Sequence, residues 1–104
     1  MAVKRDANHE EIRDAFHSLG WGWTDTWRLG RGFADAIALT PARWGEPRVA
    51  VLIEVKDGYG KLTEAELKFH REYQGPLAIV HSPEEVRDVM AEYRDLLMKR
   101  RIDG

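Results

Sequence analysis

The sequence predicts a single α/β domain, a mixed sheet flanked by helices, in the order helix, three strands, helix, strand, helix. Three observations lead there. Apolar residues recur at helical spacing in three stretches, four shorter runs between them suit strands, and glycine or proline marks most junctions. With 104 residues the chain has room for one modest core and not for two.

Residues 7 to 19 read as the first helix, with Ile12, Ala15, Phe16 and Leu19 on one side and Gly20 closing it. Trp21 to Arg28 is aromatic and threonine-rich, which suits a strand. Its odd positions put Trp21, Trp23, Asp25 and Trp27 on one face. A turn at Leu29-Gly30-Arg31-Gly32 leads to the second strand, Phe33 to Thr40, and Arg48 to Lys56 is the third. The third strand is apolar on both faces for most of its length, as a central strand is. Pro41 to Pro47 is short, so strands two and three are expected to form an antiparallel hairpin.

After the loop Asp57-Gly58-Tyr59-Gly60, a second helix runs from about Thr63 to Tyr73, and Thr63 and Glu66 have the spacing of a capping box. Leu77 to His81 is the fourth strand. Ser82-Pro83-Glu84-Glu85 opens the last helix, whose apolar face is Val86, Val89, Met90, Tyr93 and Leu97.

Apolar residues make up 43% of the chain and charged residues 33%, an ordinary balance for a soluble globular protein. No apolar run reaches the length of a membrane span, and the first residues are too polar for a signal peptide. With no cysteine there are no disulfides, thiolate zinc sites or cysteine nucleophiles, which fits a cytoplasmic location. The formal net charge of −2 speaks against nucleic-acid binding by bulk electrostatics alone. It does not exclude a protein whose acids are neutralised by bound cations.

The hairpin carries the chemistry. If its loop is centred on Arg43 to Gly45, paired positions sum to roughly 89, and Asp35 lies opposite Glu54. Opposed residues share a face, with Cβ atoms about 5 Å apart. Alternation then adds Lys56 to that face. Two like charges across a ladder are unfavourable without a positive group between them, and a divalent cation is suited to that place. Lysine beside it is suited to orienting an attacking water or stabilising charge on a phosphate. A bland alternative has Glu54 and Lys56 as an ion pair and Asp35 capping a turn.

Asp35 followed by Glu54-Val55-Lys56 resembles the D…(D/E)xK motif of the PD-(D/E)xK nuclease superfamily, although Ala34 stands where the motif's proline would be. Arg5-Asp6-Ala7-Asn8, Glu11-Ile12, the run Ile53 to Gly58, Leu62-Thr63, Phe69-His70 and Gly75-Pro76 resemble small phage and prophage nucleases of the VRR-NUC type. The resemblance covers about residues 4 to 86. It implies a restriction-endonuclease-like αβββαβ core with a C-terminal helix added. It implies a Mg²⁺- or Mn²⁺-dependent endodeoxyribonuclease with a metal-activated water as nucleophile. Asp35, Glu54 and the Val55 carbonyl would hold the metal, and Lys56 would assist the reaction. Branched or junction DNA in phage replication or repair is the implied substrate. A homodimer presenting two sites suits it.

A first-helix glutamate often joins such metal sites. Glu11, beside Ala15 at the margin of the apolar stripe, is better placed than Glu10. It also has the spacing for a capping box with Asn8, and both readings are open. For Glu66 the capping box is the leading reading, and a place facing the site is the other. Arg28 and Arg31, just before Asp35, are suited to gripping the DNA backbone, and His70 either to a phosphate or to a place at a helix margin. His9, His17 and His81 lack metal-ligand spacing and read as surface or boundary residues. Trp21, Trp23 and Trp27 read first as core, and otherwise as a base-stacking or dimer face. Lys99, Arg100 and Arg101 read as a solvated helix end. Two rivals accompany the nuclease reading: a non-catalytic DNA-binding or assembly subunit with the same fold, and a nuclease active only with a helicase or recombination partner.

Overall fold

The structure, a computed structural model, describes residues 7–58 and 60–103, with side chains in the last helix described through Leu96. Arg5, Asp6 and Tyr59, and the side chains of Leu97, Lys99, Arg100 and Arg101, lie outside the described residues. The elements are α1 (His9–Ser18), β1 (Gly22–Asp25), β2 (Ala36–Leu39), β3 (Ala50–Val55), α2 (Glu64–Glu72), β4 (Leu77–Val80) and α3 (Glu85–Asp103), with single 3₁₀ turns at Trp27–Leu29 and Ala42–Trp44. The strands form one mixed sheet in the order β1-β2-β3-β4. β1, β2 and β3 are a meander of antiparallel pairs. β4 returns parallel to β3 after α2, the crossover that a parallel neighbour requires.

The hairpin register agrees with the sequence reading. Ala36 pairs with Ile53 and Ala38 with Val51, so paired positions sum to 89; Asp35 lies one residue beyond the last pair, its N–H on the Ile53 carbonyl and its carboxylate beside Glu54. Period-two alternation then divides β3. Val51, Ile53 and Val55 join Ala36, Ala38 and Val80 in a core closed by Ile12 and Phe16 of α1 and by Val86 and Val89 of α3. Tyr93 extends this packing and donates its hydroxyl to the Leu77 carbonyl at 2.8 Å. The opposite face of the sheet carries Ile37, Leu39, Leu52, Glu54 and Ile79, and Leu39 and Ile79 remain more than a third exposed. The radius of gyration, 13.8 Å, is that of a compact domain of this length. Among the described residues no helix is long and apolar enough to cross a membrane.

The second element departs from expectation. β1 stops at Asp25 because Thr26 turns the chain: its backbone N–H reaches the Asp35 carbonyl at 2.8 Å and its hydroxyl the Ala34 carbonyl at 2.8 Å. Alternation ends there, so Trp27 sits in a 3₁₀ turn and leaves the face of Trp21 and Trp23. Those two are core. Trp21 packs edge-on against Phe16 (5.2 Å) and Trp44 (5.5 Å), and Trp23 lies tilted against Phe16 (5.4 Å). Trp44, in the hairpin connection, folds back over the core and is 6% exposed.

His9 is the clearest correction. It is fully buried, with Nε2 2.7 Å from Asp25 Oδ1, and Trp23 Nε1 donates to that same oxygen at 2.7 Å. Burial works against ionisation of Asp25, but the His9 and Trp23 hydrogen bonds and the nearby His9 and Arg13 charges outweigh it and hold the carboxyl below its usual range. His17 is exposed as expected, and half-buried His81 contacts Glu85.

A candidate site of buried carboxylates at the end of the sheet

Asp35 is held from three directions. Its N–H donates to the Ile53 carbonyl (3.0 Å), its carbonyl accepts from Thr26 (2.8 Å), and its Oδ2 accepts the Val55 N–H (2.8 Å). The carboxylate therefore lies across the end of β3, against Glu54. Glu54 has no exposure, and no N–H or hydroxyl donor reaches either of its carboxyl oxygens. The carboxylates of Asp35 and Glu66 lie within reach of it, and ionised acids bring no proton to share. Burial first, then contact with Glu66 and Asp35, pushes the Glu54 carboxyl up to about 10. Such an arrangement needs a proton or a cation among the acids.

Lys56 shares the face of Glu54, and its Nζ stands 2.7 Å from Glu66 Oε1, both side chains nearly buried. Glu66 also completes the capping box of α2. Its Oε1 accepts the Thr63 N–H at 2.8 Å, and the Thr63 hydroxyl accepts the Glu66 N–H at 3.2 Å. The two readings open for Glu66 are both met by one carboxylate. Burial opposes its ionisation, but hydrogen bonds from Glu54, Lys56 and the Thr63 backbone, with the Lys56 charge, bring it down to about 2.

His70 lies one turn after Glu66, half-buried, with Nε2 enclosed and without a partner. Burial, with the Lys56 charge adding and Glu66 opposing, lowers its pKa and favours the neutral ring. The loop before Asp35 packs on α2: a Cβ added at Gly32, whose φ is +85°, would stand 2.5 Å from the Ala65 carbonyl oxygen. That contact brings the loop carrying Arg28 and Arg31 against the helix that carries Glu66 and His70. Arg31 is exposed in a left-handed conformation (φ 56°), and exposed Arg28 lies over the Trp27 ring at 5.0 Å.

Glu11 is not brought into this group. It is exposed on α1, roughly 100° around the helix from Ile12 and away from the buried stripe of His9, Ile12 and Phe16. Nor does it form a capping box with Asn8, which makes no side-chain cap. Asn8 Nδ2 donates instead to the carbonyls of His81 (2.7 Å) and Lys56 (3.3 Å), tying α1 to the ends of β3 and β4. Sequence reasoning missed this tether. Nothing local distinguishes it from a cap.

Among the described residues no three acidic or histidine side chains stand in a metal-binding group. Asp35 and Glu54 are the pair set face to face, and Glu66 is engaged by Lys56. Comparison of the chain with family models, characterised proteins and solved structures gave no match.

Proposed function

We propose that the chain is a divalent-metal-dependent endonuclease hydrolysing DNA phosphodiester bonds, with a core of the restriction-endonuclease-like kind. The observation that carries this reading is Glu54, a fully buried carboxyl that no N–H or hydroxyl donor reaches, set beside Asp35, Glu66 and Lys56. Enclosing such a group costs several kcal/mol unless a charge or a proton compensates. A merely structural side chain at this place would be better as leucine or glutamine.

The donors fit a hard divalent cation, because carboxylate and carbonyl oxygens are what Mg²⁺ and Mn²⁺ take. Asp35 and Glu54 would hold it, with the Val55 carbonyl as a further donor. When bound, the cation supplies a lowered pKa for an attacking water and positive charge for the scissile phosphate. The chain's own residues do the rest. Lys56 orients the water or stabilises the charge growing on the phosphate. Arg28 and Arg31 grip the backbone beside it, and the neutral His70 ring offers a nitrogen to a phosphate oxygen. Two copies would present two such sites, which suits branched DNA.

The test is cleavage of labelled single-stranded, duplex, flapped and four-way-junction DNA with Mg²⁺, Mn²⁺ or EDTA. Wild type is run beside Lys56→Ala. Metal-dependent cutting should fall on the order of 10²- to 10³-fold in the variant. Equal cutting by both, or none by the wild type on any substrate, sinks the assignment.

A further inference from the structure

We infer that Glu66 is a positioning residue for Lys56, its carboxylate anchored by the Thr63 backbone N–H at the start of α2. The inference rests on the nuclease reading above. One oxygen, Glu66 Oε1, meets the Thr63 N–H at 2.8 Å and Lys56 Nζ at 2.7 Å. The Thr63 backbone N–H, at the start of α2, fixes that oxygen. A lysine ammonium on its four-carbon stem otherwise samples many positions. Here it is drawn to an anchored, nearly buried partner beside Glu54. Gly32 against the Ala65 carbonyl presses the same turn of α2 onto the loop that precedes Asp35. The helix start thus sets the lysine relative to both carboxylates.

Two substitutions separate positioning from helix stability. Glu66→Gln keeps an oxygen for the Thr63 N–H but removes the charge that draws Lys56. Thr63→Ala removes the hydroxyl half of the box and leaves both contacts of the Glu66 carboxylate. Glu66→Gln should lower kcat about 10- to 100-fold with KM for DNA little changed, as loss of a supporting partner does elsewhere. Thr63→Ala should lower the melting temperature and leave kcat near wild type. Glu66→Gln cutting at the wild-type rate, or Thr63→Ala losing as much kcat, overturns the inference.

A second readout needs no cleavage. In the metal-free full chain, the ¹H–¹⁵N signal of the Lys56 ammonium should be visible in wild type and Thr63→Ala and lost in Glu66→Gln. Its survival in Glu66→Gln overturns the inference. A wild type that shows the signal but cuts no DNA overturns the nuclease reading instead.

Discussion

Val51, Ile53 and Val55 leave β3 on one side of the sheet, and Leu52, Glu54 and Lys56 leave it on the other. The first set is sealed by Ile12, Phe16, Val86 and Val89. The second meets α2, a nine-residue helix with no buried side chain, and encloses carboxyl oxygens that no N–H or hydroxyl donor reaches. One strand therefore serves two purposes at a spacing of one residue. Apolar burial on the first face provides the stability that holds like charges together on the second.

The comparison breaks most sharply at Glu54. Its carboxyl ionises near 4.5 in the unfolded chain and holds its proton up to about 10 in the folded, metal-free one. Folding then takes up a proton across that window. Stability should fall as pH rises from about 4.5 towards 10, by up to about 1.4 kcal/mol per unit. Glu66 runs the other way: its carboxyl, brought down to about 2, adds stability above 4.5 that is lost only as pH falls towards 2. Glu54→Gln should therefore flatten the alkaline side of the stability profile and raise stability at pH 8 by roughly 2 kcal/mol. Metal-dependent cutting should drop by on the order of 10³-fold. Urea denaturation in EDTA across pH 5 to 9 reads the first effect. A variant less stable than wild type at pH 8 would mean that Glu54 supports the fold.

On the other face the expected signs reverse. Phe16 is fully buried between Trp21 and Trp23, and Phe16→Ala should cost about 3–5 kcal/mol. The folded fraction should cut at the wild-type rate, since the cavity opens across the sheet from the carboxylates. Cutting normalised to folded protein measures this. A large loss in a variant that remains folded would show that the two faces are coupled.

Much of this division was legible in the sequence. The short hairpin sets Asp35 beside Glu54, because a one-residue slip would turn Val51, Ile53 and Val55 out of the core and Glu54 into it. What escaped were side chains whose role depends on distant backbone. Trp27 left its expected face because Thr26 bonds to Ala34 and Asp35, eight and nine residues on. His9 is buried because Asp25 and Trp23 meet it there, and no local pattern marks a histidine that opens a helix as core. Glu66 had the spacing of a cap, and the oxygen that caps α2 also meets Lys56. Glu11 had suitable spacing for either of two roles, and the turn of α1 leaves it exposed.

The smallest expected effect lies at Asn8, where the two faces are tied together. A conventional N-cap accepts a backbone N–H, whereas this amide donates to the carbonyls of Lys56 and His81. Asn8→Ala should cost about 1–2 kcal/mol through those lost bonds. That figure alone does not identify the role, since losing a cap costs a similar amount. Asn8→Asp does. Aspartate caps as well as asparagine, so a capping role would leave stability near wild type. As a tether it fails, because an ionised carboxylate has no proton for either carbonyl and is repelled by both. Stability of Asn8→Asp at pH 7 should therefore be no better than that of Asn8→Ala, and cutting should weaken as the Lys56 backbone loses its tie to α1. Thermal melts of the three proteins at matched pH decide it: an aspartate variant as stable as wild type would return Asn8 to the role of a cap and leave the end of β3 without its link to the first helix.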